Sequence, residues 1–496
     1  MRLLPIFTLV LGLGIAQAQT ADSLTKASAH WRPAYHFSPP KNWINDPNGL
    51  VYHAGEWHLF YQHNPYENKW GHMSWGHAVS RDLLRWEHLP VAIPEDSTGI
   101  DPVWIFSGGV VVDKNNTAGF GKNAFVAIYT ADHHGKGEDQ HLAYSTDRGR
   151  TWTKCRQNPV LGPLQKDFRD PNLIWHESSK QWVMSVVKPT EYKVEFYGSK
   201  NLKAWTKLGD FGPAGDVRKI WECPALLQVS VEGGGKKWLL LLSSNGAYED
   251  FVGMQYFVGE FDGKTFNAEN KQPLYVDYGK DFYAAIPFYN APDGRTVMLG
   301  WMLSWQYAEA QPTFPWKGQM SVPREISLYK TAGGHRLKQQ PVAEVTRNAR
   351  MRTSIPALAI QGESDALKGV RSNHFELLAD VEIGQASGFG FRLAQGENGQ
   401  QTVVGYDAQK QELYVDRTKS GKVFHPKFAS RESAPLKPVN GTVRLRVLLD
   451  QSSVEVFGND GQVAITSLIF PDAQSGRVSL FSRGEIKVKS LKISDL

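Results

Sequence analysis

Apolar positions along this chain recur in short alternating runs, and the breaks between runs are rich in Gly, Asp, Asn and Lys. A period of two marks half-buried strands, and long patterns at helical spacing are scarce, so the chain reads as all-β. The clearest hairpin runs from Leu50 to Tyr61, with its polar tip at Ala54-Gly55-Glu56. Similar tips fall near Gly121, Ser179, Gly234 and Asp293, at intervals of 55 to 66 residues. A second echo marks the first three repeats: Ser80-Arg81-Asp82 before Trp86, Ser145-Thr146-Asp147 before Trp152, and Ser199-Lys200-Asn201 before Trp205. A unit of this length holds four short strands with their loops, which is the pattern of a β-propeller. Five tips predict five blades over residues 30–335; an unrepeated series of hairpins in sandwiches is the alternative.

After His335 the texture changes. Residues 336–360, with Pro341 and Pro356, are polar and irregular and read as a linker. Clean alternation returns in Phe375-Glu376-Leu377-Leu378, Thr442 to Val447 and Ser453 to Phe457, and Asp460-Gly461 is a strong hairpin signal. Residues 361–496 therefore predict a β-sandwich with a structural role. At the other end, Arg2 precedes an apolar run from Leu3 to Ile15, and Ala16-Gln17-Ala18 offers the small residues a signal peptidase reads. Residues 1–18 are read as a signal peptide, which places the mature protein in the periplasm or outside the cell. That run is too short for a comfortable membrane span, and no later segment approaches 18 uninterrupted apolar residues, so no membrane span is expected.

Composition narrows the function classes. With 41% hydrophobic residues and a net charge of +5 over 496 residues, disorder is excluded. Lys+Arg number 55 against 50 Asp+Glu, which leaves no basic surplus for a nucleic-acid partner. Cys155 and Cys223 are the only cysteines and fall in different repeats, so a disulfide scaffold is excluded and pairing is not expected. Sixteen Trp, 18 Tyr and 24 Phe suit a β-rich core, and also a site that stacks sugar rings. Asp132-His133-His134 and Asp139-Gln140-His141 lie close together, but Gly135-Lys136-Gly137 between them reads as a solvated loop, so neither a metal site nor a cofactor is expected. Asn115-Asn116-Thr117 and Asn440-Gly441-Thr442 are glycosylation sequons. Nothing in the sequence fixes an oligomeric state.

Measuring backwards from the tips isolates three acids. Asp46 lies 9 residues before Gly55, Asp170 lies 9 before Ser179, and Glu222 lies 12 before Gly234. Their surroundings echo one another: Asn45-Asp46-Pro47-Asn48, Arg169-Asp170-Pro171-Asn172 and Trp221-Glu222-Cys223-Pro224. Any one of these is an ordinary turn sequence. Together, at equivalent places in a propeller, they would project into one central cavity. Gathering carboxylates there is unfavourable through repulsion and desolvation, which points to a function. Arg169 is expected to keep Asp170 ionised, and a charged neighbour to hold Glu222 protonated near neutral pH. Two carboxyls with separated pKa values are what acid/base cleavage of an acetal needs. Trp43 and Trp221 adjoin the acids, and Gln62 and Asn64 could hydrogen-bond hydroxyls.

Trp43-Ile44-Asn45-Asp46-Pro47-Asn48-Gly49, Arg169-Asp170-Pro171 and Glu222-Cys223-Pro224 resemble the three signature motifs of the β-fructofuranosidases, glycoside hydrolase family 32. Tyr61-Gln62-His63-Asn64-Pro65, Phe106-Ser107-Gly108, Asp281-Phe282-Tyr283-Ala284, Gly300-Trp301-Met302 and Ser453-Val454-Glu455-Val456-Phe457 extend the resemblance over nearly the whole chain. The resemblance implies a five-bladed propeller plus a sandwich, and a retaining hydrolase that releases terminal β-D-fructofuranosyl units from levan, inulin or sucrose. It implies that Asp46 is the nucleophile, Glu222 the acid/base and Asp170 the residue that binds fructosyl hydroxyls and stabilises the transition state, with Arg169 beside it. Asn45, Gln62, Trp70, Phe106, Ser107 and Trp301 match positions lining the family's fructose pocket, and Cys223 follows the acid as it does there. Ile44 stands where Met is common and Gly109 where Ser is frequent; neither change removes a catalytic group.

Alternatives remain at this stage. They are endo action on the same polymers, fructosyl transfer to sugars, an inverting arabinanase-like five-bladed glycosidase, and a catalytically silent sugar-binding propeller.

Overall fold

The computed structural model describes residues 22–97, 99, 102–245 and 253–496. The signal-peptide reading of residues 1–18 lies outside the described residues. Five four-stranded antiparallel units follow one another, each running from an inner strand outward. Blade one is Asn42–His53, Glu56–Asn64, Ser74–Ser80 and Trp86–Ile93; blade two is Trp104–Asp113, Ala124–Asp132, Glu138–Ser145 and Thr153–Lys154. Blade three is Arg169–His176, Gln181–Lys188, Lys193–Ser199 and Thr206–Phe211; blade four is Ile220–Ser230, Lys236–Asn245, Gly253–Phe261 and Phe266–Ala268. Blade five is Tyr283–Pro287, Val297–Trp301, Arg324–Thr331 and Gly334–Pro341. All five predicted tips sit between a first and a second strand.

Repetition in sequence is repetition in hydrogen bonding. Between third and fourth strands, Asp82 Oδ1 accepts from the backbone N–H of Leu84 and Arg85, and Asn201 Oδ1 from Lys203 and Ala204. The following indoles of Trp86, Trp152 and Trp205 each donate to a carbonyl three residues earlier, on Leu83, Gly149 and Leu202. A short polar side chain bends the backbone and a Trp covers the bend. The ring closes without sharing a blade: Trp316–Lys317 pairs in parallel with Asn42 and Trp43, and Val51 bridges to Tyr289.

The sandwich stacks a sheet containing Phe375–Glu382, Thr442–Asp450, Ser453–Gly458, Val463–Leu468 and Ile486–Asp495 on one containing Gly388–Gln395, Gln401–Asp407, Glu412–Lys419, Arg431–Pro435 and Arg477–Arg483. Residues 336–360, expected as a linker, contribute strands. Gly334–Pro341 is the outer strand of blade five, and Arg350–Ile355 and Leu358–Ile360 pair onto Ile486–Asp495 at the sandwich edge. An edge strand buries only one side, so its sequence is polar enough to look irregular.

The two domains share a core, in which Leu448, Phe457 and Phe470 of the sandwich join apolar residues of blades one, four and five. Buried ions lock the seam. Arg324, between the rings of Phe282 and Phe457, pairs with Asp277 (2.8 Å) and Glu455, while Arg417 pairs with Asp281 and with the hydroxyl of Tyr307 (2.7 Å). His36, ahead of blade one, lies between Asp450 (2.7 Å) and Glu455 (2.9 Å). Buried charges of this kind persist because each is paired and hydrogen-bonded.

Candidate active site

Each inner strand slips register near its start: between Ile44 and Pro47, Ile105 and Gly108, Arg169 and Asn172, Glu222 and Ala225, and Tyr283 and Ile286. The five bulges leave Asn45-Asp46, Phe106-Ser107, Asp170-Pro171, Cys223-Pro224 and Ala284-Ala285 off the ladder. A bulge re-aims side chains and tolerates a residue with no N–H to give, as at Pro171 and Pro224. Asp170, Cys223 and Ala284, equivalent residues in three blades, have φ of 62°, 49° and 52°. Left-handed backbone at non-glycine residues costs about 1–3 kcal/mol each and concentrates at functional sites.

These bulges converge on a pocket of about 380 Å³ lined by Asn45, Asp46, Gln62, Trp70, Phe106, Ser107, Arg169, Asp170, Glu222 and Trp305. Asp46 lies on its floor. Its Oδ2 accepts from the Ser107 hydroxyl at 2.7 Å and the Cys223 thiol at 3.4 Å, and its Oδ1 from Asn45 at 3.1 Å. Burial pushes the Asp46 carboxyl above the ordinary carboxylate value and the Glu222 charge pushes the same way, while the three donors pull it back. Asp170 Oδ2 accepts the Cys223 backbone N–H at 2.9 Å and lies 3.7 Å from its Sγ. Burial also drives the Cys223 thiol up, helped by the surrounding acids, so it stays protonated and donates between Asp46 and Asp170.

Glu222 is held by two side chains. Arg169 donates to its Oε1 through Nη2 at 3.0 Å and Nε at 3.3 Å, and the Tyr283 hydroxyl donates to Oε2 at 2.7 Å. Arg169 also reaches Glu138 at 3.2 Å and Asp167 at 3.4 Å. This corrects the electrostatic expectation. Arg169 adjoins Asp170 in sequence, yet its guanidinium points at Glu222, and burial pushes Asp170 upward although the Arg169 charge opposes it. Successive strand residues face opposite ways, and the bulge between 169 and 172 decides which pair meets.

Of the expected substrate contacts, Asn45, Gln62, Trp70, Phe106, Ser107 and Arg169 line the pocket. Gln62 is fixed by donating to the Ile105 carbonyl at 3.0 Å. Trp43, Trp301 and Cys223 lie behind the lining. Trp43 and Trp301 are fully buried, with ring centroids 5.9 and 4.9 Å from Trp305, the ring that does reach the pocket. Trp43 holds the site indirectly, donating its indole N–H to Asn45 Oδ1 at 2.8 Å. Sequence reasoning missed Trp305, Tyr283 and Glu138 as site residues. Tyr283 was within reach, since it lies 10 residues before the fifth tip at Asp293, as Arg169 lies 10 before Ser179 in blade three.

The family model for the glycosyl hydrolases family 32 N-terminal domain matches residues 36–341, and the model for its C-terminal domain matches residues 343–495. The chain belongs to glycosyl hydrolases family 32. It is a glycoside hydrolase, and its all-β architecture of propeller and sandwich is that of the family. A levanase of Bacillus subtilis is 48% identical over 99% of this chain and 74% of its own length. An extracellular exo-inulinase of Aspergillus ficuum is 38% identical over 97% of this chain and 96% of its own. The crystal structure of an exo-inulinase from Aspergillus awamori superposes with a TM-score of 0.89 at 37% identity, covering 94% of this chain and 98% of that one. Family 32 membership thus accounts for the three motifs whose acids meet in this pocket.

Proposed function

We propose that this family 32 enzyme releases terminal β-D-fructofuranosyl units from fructans of the levan or inulin type and from sucrose, with retention at the anomeric carbon. The observation that carries the reading is the depth order of the acids. Asp46 and Asp170 are buried on the pocket floor, whereas Glu222 is only partly buried. A terminal sugar that enters first puts its anomeric carbon over Asp46 and its leaving oxygen towards Glu222 and the mouth. The levanase and exo-inulinase relatives support the substrate class.

In the first step an Asp46 carboxylate oxygen bonds to the anomeric carbon as the glycosidic C–O bond breaks, and the departing oxygen takes the Glu222 proton. In the second, water attacks the same carbon, Glu222 accepts its proton, and the ester bond to Asp46 breaks. Asp170, held by the Cys223 N–H, hydrogen-bonds fructosyl hydroxyls and steadies the charge that builds on the ring. Arg169 and Tyr283 fix the Glu222 carboxyl between the two steps. The apolar stretch near the N-terminus and the extracellular Aspergillus relative support a location outside the cytoplasm, and no helix among the described residues is long and apolar enough to cross a membrane.

The test is product analysis. Levan and inulin are expected to yield fructose as the early product and sucrose to yield fructose and glucose in equal amounts, and NMR of the first-formed fructose is expected to show the β-anomer. Asp46→Ala and Glu222→Ala are expected to lower turnover by about 10²-fold or more with the fold intact by circular dichroism. An initial α-anomer, an early ladder of oligomers, or near-native turnover in either variant would overturn the assignment.

A further inference from the structure

Blade two carries a second cluster that the sugar chemistry does not use. Its second and third strands, Ala124–Asp132 and Glu138–Ser145, pair Tyr129 with His141, Ala131 with Asp139 and Asp132 with Glu138. Alternation therefore places Tyr129, Ala131, Asp139 and His141 on one face, and His133 continues that face into the connecting loop. The loop closes tightly, with the His133 N–H donating to the Gly137 carbonyl at 3.0 Å and the Lys136 N–H to the His133 carbonyl at 3.3 Å. Gly135 and Lys136 are exposed, as expected of a solvated loop, while His133 at its base folds back over Asp139.

From this geometry we infer that His133, Asp139 and His141 bind one divalent transition-metal ion of the Zn²⁺ class. Nε2 of His133 and Nε2 of His141 lie 2.9 and 3.0 Å from the same Asp139 Oδ1, and the three ligand atoms all fall within 4.8 Å of one another. A tetrahedral ion with bonds of about 2.0–2.1 Å spaces its ligands about 3.3 Å apart, close to the two short separations. The imidazole centroids are 5.9 Å apart with planes at 66°, so the rings converge on a point and do not stack. Burial is graded, with the Asp139 side chain 6% exposed at the base and His133 and His141 at 25% and 19%, which leaves an entry path and room for a ring to close the triangle. Two imidazoles and one carboxylate suit Zn²⁺, Co²⁺ or Ni²⁺ and not Ca²⁺ or Mg²⁺, which take oxygen ligands.

A second observation points the same way. The Tyr129 hydroxyl, directly across the hairpin from His141, is wholly buried and finds no hydrogen-bond partner among the described residues. Buried hydroxyls are nearly always satisfied. The Tyr129 ring lies 6.0 Å from the His141 ring, beside the proposed ion.

The ion would be structural, and its place in the fold says what it holds. His134, the next residue of the loop, packs edge-on against Trp104 at 4.8 Å, and Trp104 packs against Trp70 at 5.2 Å on the pocket wall. Metal ligation would pin the loop that backs this aromatic wall.

The experiment uses tag-free full-length enzyme, stripped with chelator and titrated with ZnCl₂ by calorimetry, with Co²⁺ as the spectroscopic probe. One ion per chain is expected, with affinity on the order of 1 μM, together with a rise in Tm and the absorption of tetrahedral Co²⁺. His133→Ala and His141→Ala are each expected to weaken Zn²⁺ by about 100-fold while turnover of sucrose in the absence of metal is unchanged. His133 sits in a loop, so its variant keeps the test readable if His141→Ala folds poorly. The inference is overturned if the wild type takes up no stoichiometric Zn²⁺, or if His133→Ala binds it as tightly as the wild type. Neither result bears on the fructosidase assignment.

Discussion

Replacing Ser107 with Ala isolates the electrostatics of the nucleophile. Ser107 donates at 2.7 Å to Asp46 Oδ2, and burial leaves Asp46 raised above an ordinary Asp despite that bond. A hydrogen bond to a charged group contributes about 1.5–3 kcal/mol, or about 1–2 pKa units. The Asn45 amide at 3.1 Å and the Cys223 thiol at 3.4 Å remain and soften the loss, so a shift of about one unit is expected. The sign follows from the bond's preference for the ionised form. Without it Asp46 protonates at higher pH, and since only the carboxylate attacks, the acid limb of kcat/KM moves upward. The assay is kcat/KM for sucrose at closely spaced pH values for both enzymes. On the plateau Ser107→Ala should lose modestly, and below the limb about tenfold more. A uniform loss at every pH, with the acid limb unmoved, would refute the argument and leave Ser107 as a substrate contact only.

Two further outcomes follow from groups outside the acid trio. Burial disfavours charge on His36, but the flanking Asp450 and Glu455 outweigh it and raise its pKa to about 9. A folded pKa above the unfolded value of about 6.5 means stabilisation that is complete below pH 6.5 and is lost as pH rises through 9, amounting to about 3 kcal/mol. Denaturant midpoints of the wild type should therefore fall between pH 6.5 and 9.5, and those of His36→Gln should be lower at pH 6 and flatter; equal slopes would refute the linkage. Trp305→Ala should raise KM and lower kcat/KM by about tenfold, or ~1.4 kcal/mol, because it opens the pocket wall that Trp43 and Trp301 support. A fall in kcat alone would argue against a binding role.

What the sequence made legible and what it hid divide along a physical line. Hairpin tips and Ser-x-Asp turns are local, since the residues that form each bond lie within a few positions of one another, and their spacing carried the five blades and the three acids. The site's electrostatics are not local. Arg169 touches Asp170 along the chain but bonds to Glu222, 53 positions away, because a bulge turns its side chain across the channel. The same slip recurs in all five inner strands, and nothing in an alternating pattern marks a residue that drops out of the ladder. Trp43 and Trp301 mislead for a related reason. Each is adjacent to, or aligned with, a pocket position, yet both are buried one layer back, and Trp305 in the loop after Val297–Trp301 presents the face the sugar meets. Chain proximity can therefore locate a propeller's catalytic ring, but not which groups within it touch. That depends on the bulges, and a substitution that restored ladder register at 169–172 should disturb the Arg169–Glu222 pair without changing any catalytic side chain.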